Sequence, residues 1–157
     1  MATADVSPEQ LANIQALKDK VHAWLSEIWG GYQVDSDGDS FIEYGSSRAY
    51  FGIGPFGEDG TIVRIWSVIL FNVPITPELF EFVACEGANY HFGRMVVVRK
   101  TDDPSVGGVI FDHELLGDYL DLEELKSAAL GLLFSADGVD NEMAGRFGGT
   151  TFTGETS

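Results

Sequence analysis

The sequence predicts an α+β fold, with an antiparallel sheet of about five strands and three helices in the order α-β-β-β-α-β-β-α. Three observations carry that expectation. Residues 8–30 repeat apolar side chains at helical spacing, and residues 32–73 switch to the shorter period of strands. The connections between those strands are short and turn-rich, which favours antiparallel hairpins. At 157 residues the chain suits one domain. That domain is expected over 8–149, between a flexible N-terminus (1–7) and a flexible C-terminal tail (150–157).

The first helix opens at Ser7-Pro8-Glu9-Gln10, where Ser caps, Pro fits the first turn and Gln10 takes the capping-box position. Leu11, Ile14, Leu17, Val21, Leu25 and Ile28 then form one stripe, and Gly30-Gly31 ends it. Strands are expected over 41–44, 49–53 and 61–73, with a small extra one near Tyr32. Asp35 to Asp39 and Gly54 to Gly60 supply the turns. Thr76-Pro77-Glu78 starts the second helix, and strands 92–100 and 107–113 follow it. Asp121 caps a third helix with the stripe Leu122, Leu125, Ala129, Leu132, Leu133 and Ala136. That stripe extends past Gly138 through Val139, Met143 and Phe147.

The strand at 61–73 is apolar on both sides. By simple alternation Val63, Ile65, Ile69, Phe71 and Val73 face one way, and Ile62, Trp66, Val68 and Leu70 face the other. An antiparallel sheet with one face in water alternates polar residues there, and this strand does not. Either the first or third helix wraps onto the second face, or that face meets another copy or a peptide segment. The second alternative is favoured, with Trp66 as anchor and Val68 and Leu70 beside it, because aromatic residues dominate contact energetics.

Composition narrows the function. Nine Lys and Arg against twenty-five Asp and Glu give a net charge of −16, which repels phosphate backbones and anionic lipid. Neither nucleic acid nor membrane is expected as a partner. The only cysteine, Cys85, is expected as a small buried hydrophobe. Residues 1–7 lack the basic and apolar regions of a signal peptide, and no apolar run could span a bilayer, so the cytoplasm is expected.

No catalytic, cofactor or metal residues are assigned. Gly52-Ile53-Gly54-Pro55-Phe56-Gly57 matches a dinucleotide fingerprint in letters, but two carboxylates and a strand follow where a helix N-terminus is needed. Asp35-Ser36-Asp37-Gly38-Asp39 resembles the start of a calcium loop, yet the required Gly and Glu positions hold Ser40 and Ser46. His22, His91 and His113 have no ligand-spaced companions. Asp112 and His113, adjacent on a strand, point to opposite faces and form no local dyad.

Three further stretches carry a family resemblance: Val73 to Leu79, Asn89 to Val97, and Ser135 to Met143 with Arg146-Phe147-Gly148-Gly149. With the element order, they resemble the class I type III secretion chaperones, and more closely the YbjN-like proteins of bacteria, actinobacterial ones above all. The resemblance spans residues 8–149. It implies a type III secretion chaperone-like fold and a homodimer that holds an extended client segment without catalysis. A homodimer contact through the third helix is then expected at Leu132, Leu133 and Val139. A regulatory or scaffold protein of the same fold, bound to one dedicated partner, is the alternative. An acidic rim would favour basic clients.

Overall fold

A computed structural model describes residues 6–152. Helix α1 covers Pro8–Trp29. The Ser7 hydroxyl accepts from the Gln10 N–H at 3.0 Å, and Gly30 at φ 76° ends the helix by donating to the Ser26 carbonyl. Strands β1 (Gln33–Val34), β2 (Ser40–Tyr44), β3 (Ser47–Phe56) and β4 (Gly60–Pro74) follow, then α2 (Pro77–Glu86). Strands β5 (Arg94–Arg99) and β6 (Val106–Leu116) precede α3 (Leu122–Phe147), whose N-cap Asp121 accepts from the Glu124 N–H. The element order agrees with the sequence, and the small strand near Tyr32 makes the sheet six-stranded.

All pairings are antiparallel, in the spatial order β1-β2-β3-β4-β6-β5. Strand β4 is central, between β3 and β6. Both long helices pack on one face, where Leu17, Val21 and Leu25 of α1 and Leu125, Leu132 and Leu133 of α3 share a core with Val63, Ile65 and Ile69. Helix α3 runs unbroken through Gly138, keeping Val139 and Met143 in that core. Among the described residues the opposite face carries no helix.

Strand β4 does not alternate to its end. Two register shifts against β6, between Val68 and Leu70 and between Leu70 and Val73, insert extra residues. Val68 pairs with Ile110, but Leu70 pairs with the core residue Val109. Leu70 is therefore turned into the core, with 0% exposure, and Phe71 takes its place toward the open face. The second irregularity holds Asn72 at φ 52°, a left-handed conformation that asparagine tolerates better than most residues.

The flexible tail expected from residue 150 begins with ordered contacts. Gly148 and Gly149, at φ 80° and 82°, reverse the chain, and a Cβ on Gly149 would lie 2.6 Å from the Phe71 carbonyl. Thr150 then exchanges both backbone hydrogen bonds with Phe71, at 2.8 and 2.9 Å. Thr151 is buried, and Arg48 lies 4.2 Å above the Phe152 ring. The remainder of that expected tail, and residues 1–5, lie outside the described residues. Cys85, expected to be buried, is exposed. Helix α2 anchors through Leu79, with Phe82 and Val83 beside it, and Cys85 falls off that stripe.

Candidate functional site

The open face is organised by one cross-strand row. Gln33, Phe41, Tyr50, Trp66, Asp112 and Arg94 are successive pairing partners across all six strands, so their side chains share that face. Phe41 and Tyr50 have ring centroids 5.5 Å apart, and Tyr50 stacks on Trp66 at 5.4 Å with a 13° interplanar angle. Gly52 makes room for that stack, since a Cβ there would lie 3.1 Å from the Trp66 ring. Next to its β5 end the row holds a buried carboxylate. Asp112, 5% exposed, accepts from Arg64 on β4 and from Arg94 on β5, the latter at 3.0 Å. That hydrogen bond and the charge behind it hold the Arg94 guanidinium above its ordinary pKa.

Beside this row lies a groove of about 430 Å³ between the far half of β4 and strand β5. Trp66, Val68 and Phe71 form one wall, Val98 the other, and Ile110 part of the floor. The depth comes from Gly108, which leaves β6 without a side chain between the two walls, while Gly107 beside it pairs with the core residue Val73 and faces the other way. Neither glycine is free to grow. A Cβ on Gly107 would lie 2.3 Å from the Val98 carbonyl, and one on Gly108 3.1 Å from the Leu70 carbonyl. Strand β5 is the outermost strand, six residues long, and Val98 on it is 48% exposed. An apolar trough beside a sheet edge can receive side chains from an extended segment while the edge offers backbone hydrogen bonds.

The sequence-predicted residues divide. Trp66 and Val68 stand on the open face and line the groove, partly exposed. Leu70 does not expose its side chain, because the register shift turns it inward beneath the groove. Leu132 and Leu133 are fully buried and Val139 is 5% exposed, all in the core against the sheet, so none can serve a helix-mediated dimer contact. Phe71, Val98 and Ile110 were missed. Phe71 needs the irregularity in β4 to reach the groove, and strict alternation gives no sign of it.

The histidines gain one relation that spacing did not show. His91 and His113 line a small pocket of about 280 Å³ with Asp112 and Glu114. His113 sits on the core side, where its Nδ1 accepts from the Gly93 N–H at 3.2 Å, and burial lowers its pKa. Asp112 lies across the sheet from it, as expected. The Asp35 loop is a turn in which Oδ1 of Asp35 accepts from the N–H groups of Asp37 and Asp39, both at 2.9 Å. Among the described residues no three His, Cys, Asp or Glu groups are placed to hold a metal ion, and no helix is long and apolar enough to cross a membrane.

Comparison with known proteins agrees with this geometry. A chain from the crystal structure of the ExsC–ExsE complex has a similar fold, with a TM-score of 0.52 and 15% sequence identity over 78% of this chain and 92% of that one. No curated protein matches the sequence. A family model described as the type III secretion (YopN, CesT) and YbjN peptide-binding chaperone 1 family, TY-Chap1, matches residues 15–155, and the chain belongs to that family.

Proposed function

We propose that this protein is a non-enzymatic, cytoplasmic polypeptide-binding chaperone or adaptor that acts as a homodimer and holds an extended client segment. The observation that carries the reading is the apolar groove on the helix-free sheet face, set against the outermost strand β5. Membership of a peptide-binding chaperone family supports the same role. Affinity would come from backbone pairing along β5, and selectivity from side chains seated between Trp66, Val68 and Val98.

Light scattering behind size exclusion tests the assembly, and a labelled apolar peptide tests the groove. The wild type is expected at twice the chain mass and should bind the peptide. Trp66→Asp and Val68→Asp should each abolish peptide binding while far-UV circular dichroism stays unchanged. A monomer at every concentration would remove the homodimer, and peptide binding undiminished in both variants would remove the groove.

A further inference from the structure

The net charge of −16 suggests a protein that attracts basic partners, but the groove is charged the other way. Arg64, Arg99 and Lys100 line it, and among the described residues no Asp or Glu does. Arg64 and Lys100 bring their charges to this apolar face, although carboxylates outnumber cations twenty-five to nine, while Arg99, in the pairing row of Gly107 and the core residue Val73, turns its guanidinium toward α2.

Three carboxylates near it are already engaged. Asp112 accepts from Arg64 and Arg94 together. Glu114 lies 3.8 Å from Arg94. Asp103, in the loop after β5, is held by the Ser105 hydroxyl and N–H, which lower its pKa. Arg99 rests over the Phe80 ring at 5.3 Å and donates to the Pro104 carbonyl, with no carboxylate within ion-pair distance among the described residues. Lys100 likewise forms no ion pair there. A cation left unpaired at the end of an apolar trough, as Lys100 is among the described residues, is placed to meet a carboxylate on whatever fills it.

We propose that the groove selects an extended segment whose apolar side chains are flanked by acidic residues, and that it discriminates against basic clients. This deepens, and rests on, the peptide-binding reading above. At physiological salt the Debye length is about 8 Å, so a bound segment responds to the cations beside it more than to carboxylates elsewhere on the surface. The remote acidic surface repels other acidic chains during approach, and contact at the groove reverses the preference.

The test uses two short fluorescein-labelled peptides with one apolar centre, flanked by glutamates in one and lysines in the other. Anisotropy titrations at about 0.15 M salt are run on the wild type, on K100E and on V68D. The glutamate-flanked peptide is expected to bind the wild type about tenfold tighter, a preference that K100E should abolish. V68D should weaken both peptides alike. If the lysine-flanked peptide binds the wild type as tightly, the charge selectivity is wrong while the groove stands. If neither peptide binds, the peptide-binding reading fails and takes the inference with it. If light scattering shows a dimer that V68D dissociates, and neither peptide competes with dimerisation, a second copy occupies the groove and the proposal is overturned.

Discussion

Truncating Leu70 and Val68 separately gives the sharpest test of how β4 is built. Simple alternation puts both on the open face, where the two truncations would cost similar amounts. The register shift instead sends Leu70 into the core at 0% exposure and leaves Val68 in the groove wall. Leu70→Ala removes three carbons from a sealed site, about 2.4 kcal/mol by transfer, and the cavity term raises this to ~3 kcal/mol. Val68→Ala removes two carbons from a partly exposed site and should cost about 1 kcal/mol or less. With a urea slope of about 2 kcal/mol/M, Leu70→Ala lowers the unfolding midpoint by ~1.5 M and Val68→Ala by less than ~0.5 M. Equilibrium urea unfolding, followed by far-UV circular dichroism, measures both. Peptide anisotropy should show the converse pattern, with affinity weakened in Val68→Ala and retained in folded Leu70→Ala. Equal midpoints for the two variants would refute the inward turn of Leu70.

Three further outcomes follow from single sites. The Ser67 hydroxyl is buried in the core without a hydrogen-bond partner, so Ser67→Ala should stabilise the fold by about 1 kcal/mol, read as a higher urea midpoint; a lower one contradicts this. Gly107→Ala drives a Cβ against the Val98 backbone and should cost about 1–3 kcal/mol by displacing β5; an unchanged melting temperature would show that the strand yields freely. His22 and His113 both have pKa values lowered first by burial, so the unfolded chain takes up their protons more readily. Their contribution to stability is complete above the unfolded value of about 6.5 and is lost as pH falls through the lower folded values. Unfolding midpoints should therefore be lower at pH 5.5 than at 7.5, with imidazole NMR titrations centred below about 6.5. Titration of either ring above that value would contradict the sign.

The parts of the fold that sequence announces are those governed by local chemistry. Ser7, Thr76 and Asp121 each accept from a backbone N–H three residues on, so three helix starts could be read from single letters. The stripe through Val139 and Met143 carries α3 across Gly138, because the cost of one helical glycine is small against a buried row of apolar contacts. What stayed hidden depends on pairing between distant segments. The inward turn of Leu70 and the outward turn of Phe71 are set by register against β6, and nothing in residues 68–73 specifies it. The basic rim is likewise non-local, joining Arg64 of β4 to Lys100 after β5. Leu132 and Leu133 show the reverse lesson: their place on the helical stripe already identified them as core, and the expected dimer contact set that signal aside.

The bridge between Thr150 and Phe71 has a consequence for stoichiometry. Beyond the start of β3, the Phe71 N–H and C=O on that side of β4 would be open to any passing strand, and Thr150 takes both. The far margin of the sheet is two residues of β1 and the three residues 42–44 of β2 that β1 leaves unpaired, both short stretches. The longest edge left open is therefore β5, on the other margin. A sheet that can be extended in one direction can cap a client strand but cannot relay growth through itself. On the proposed reading, a sheet with one long open edge is disfavoured as a link in a fibre, and one segment per copy is the stoichiometry expected of it.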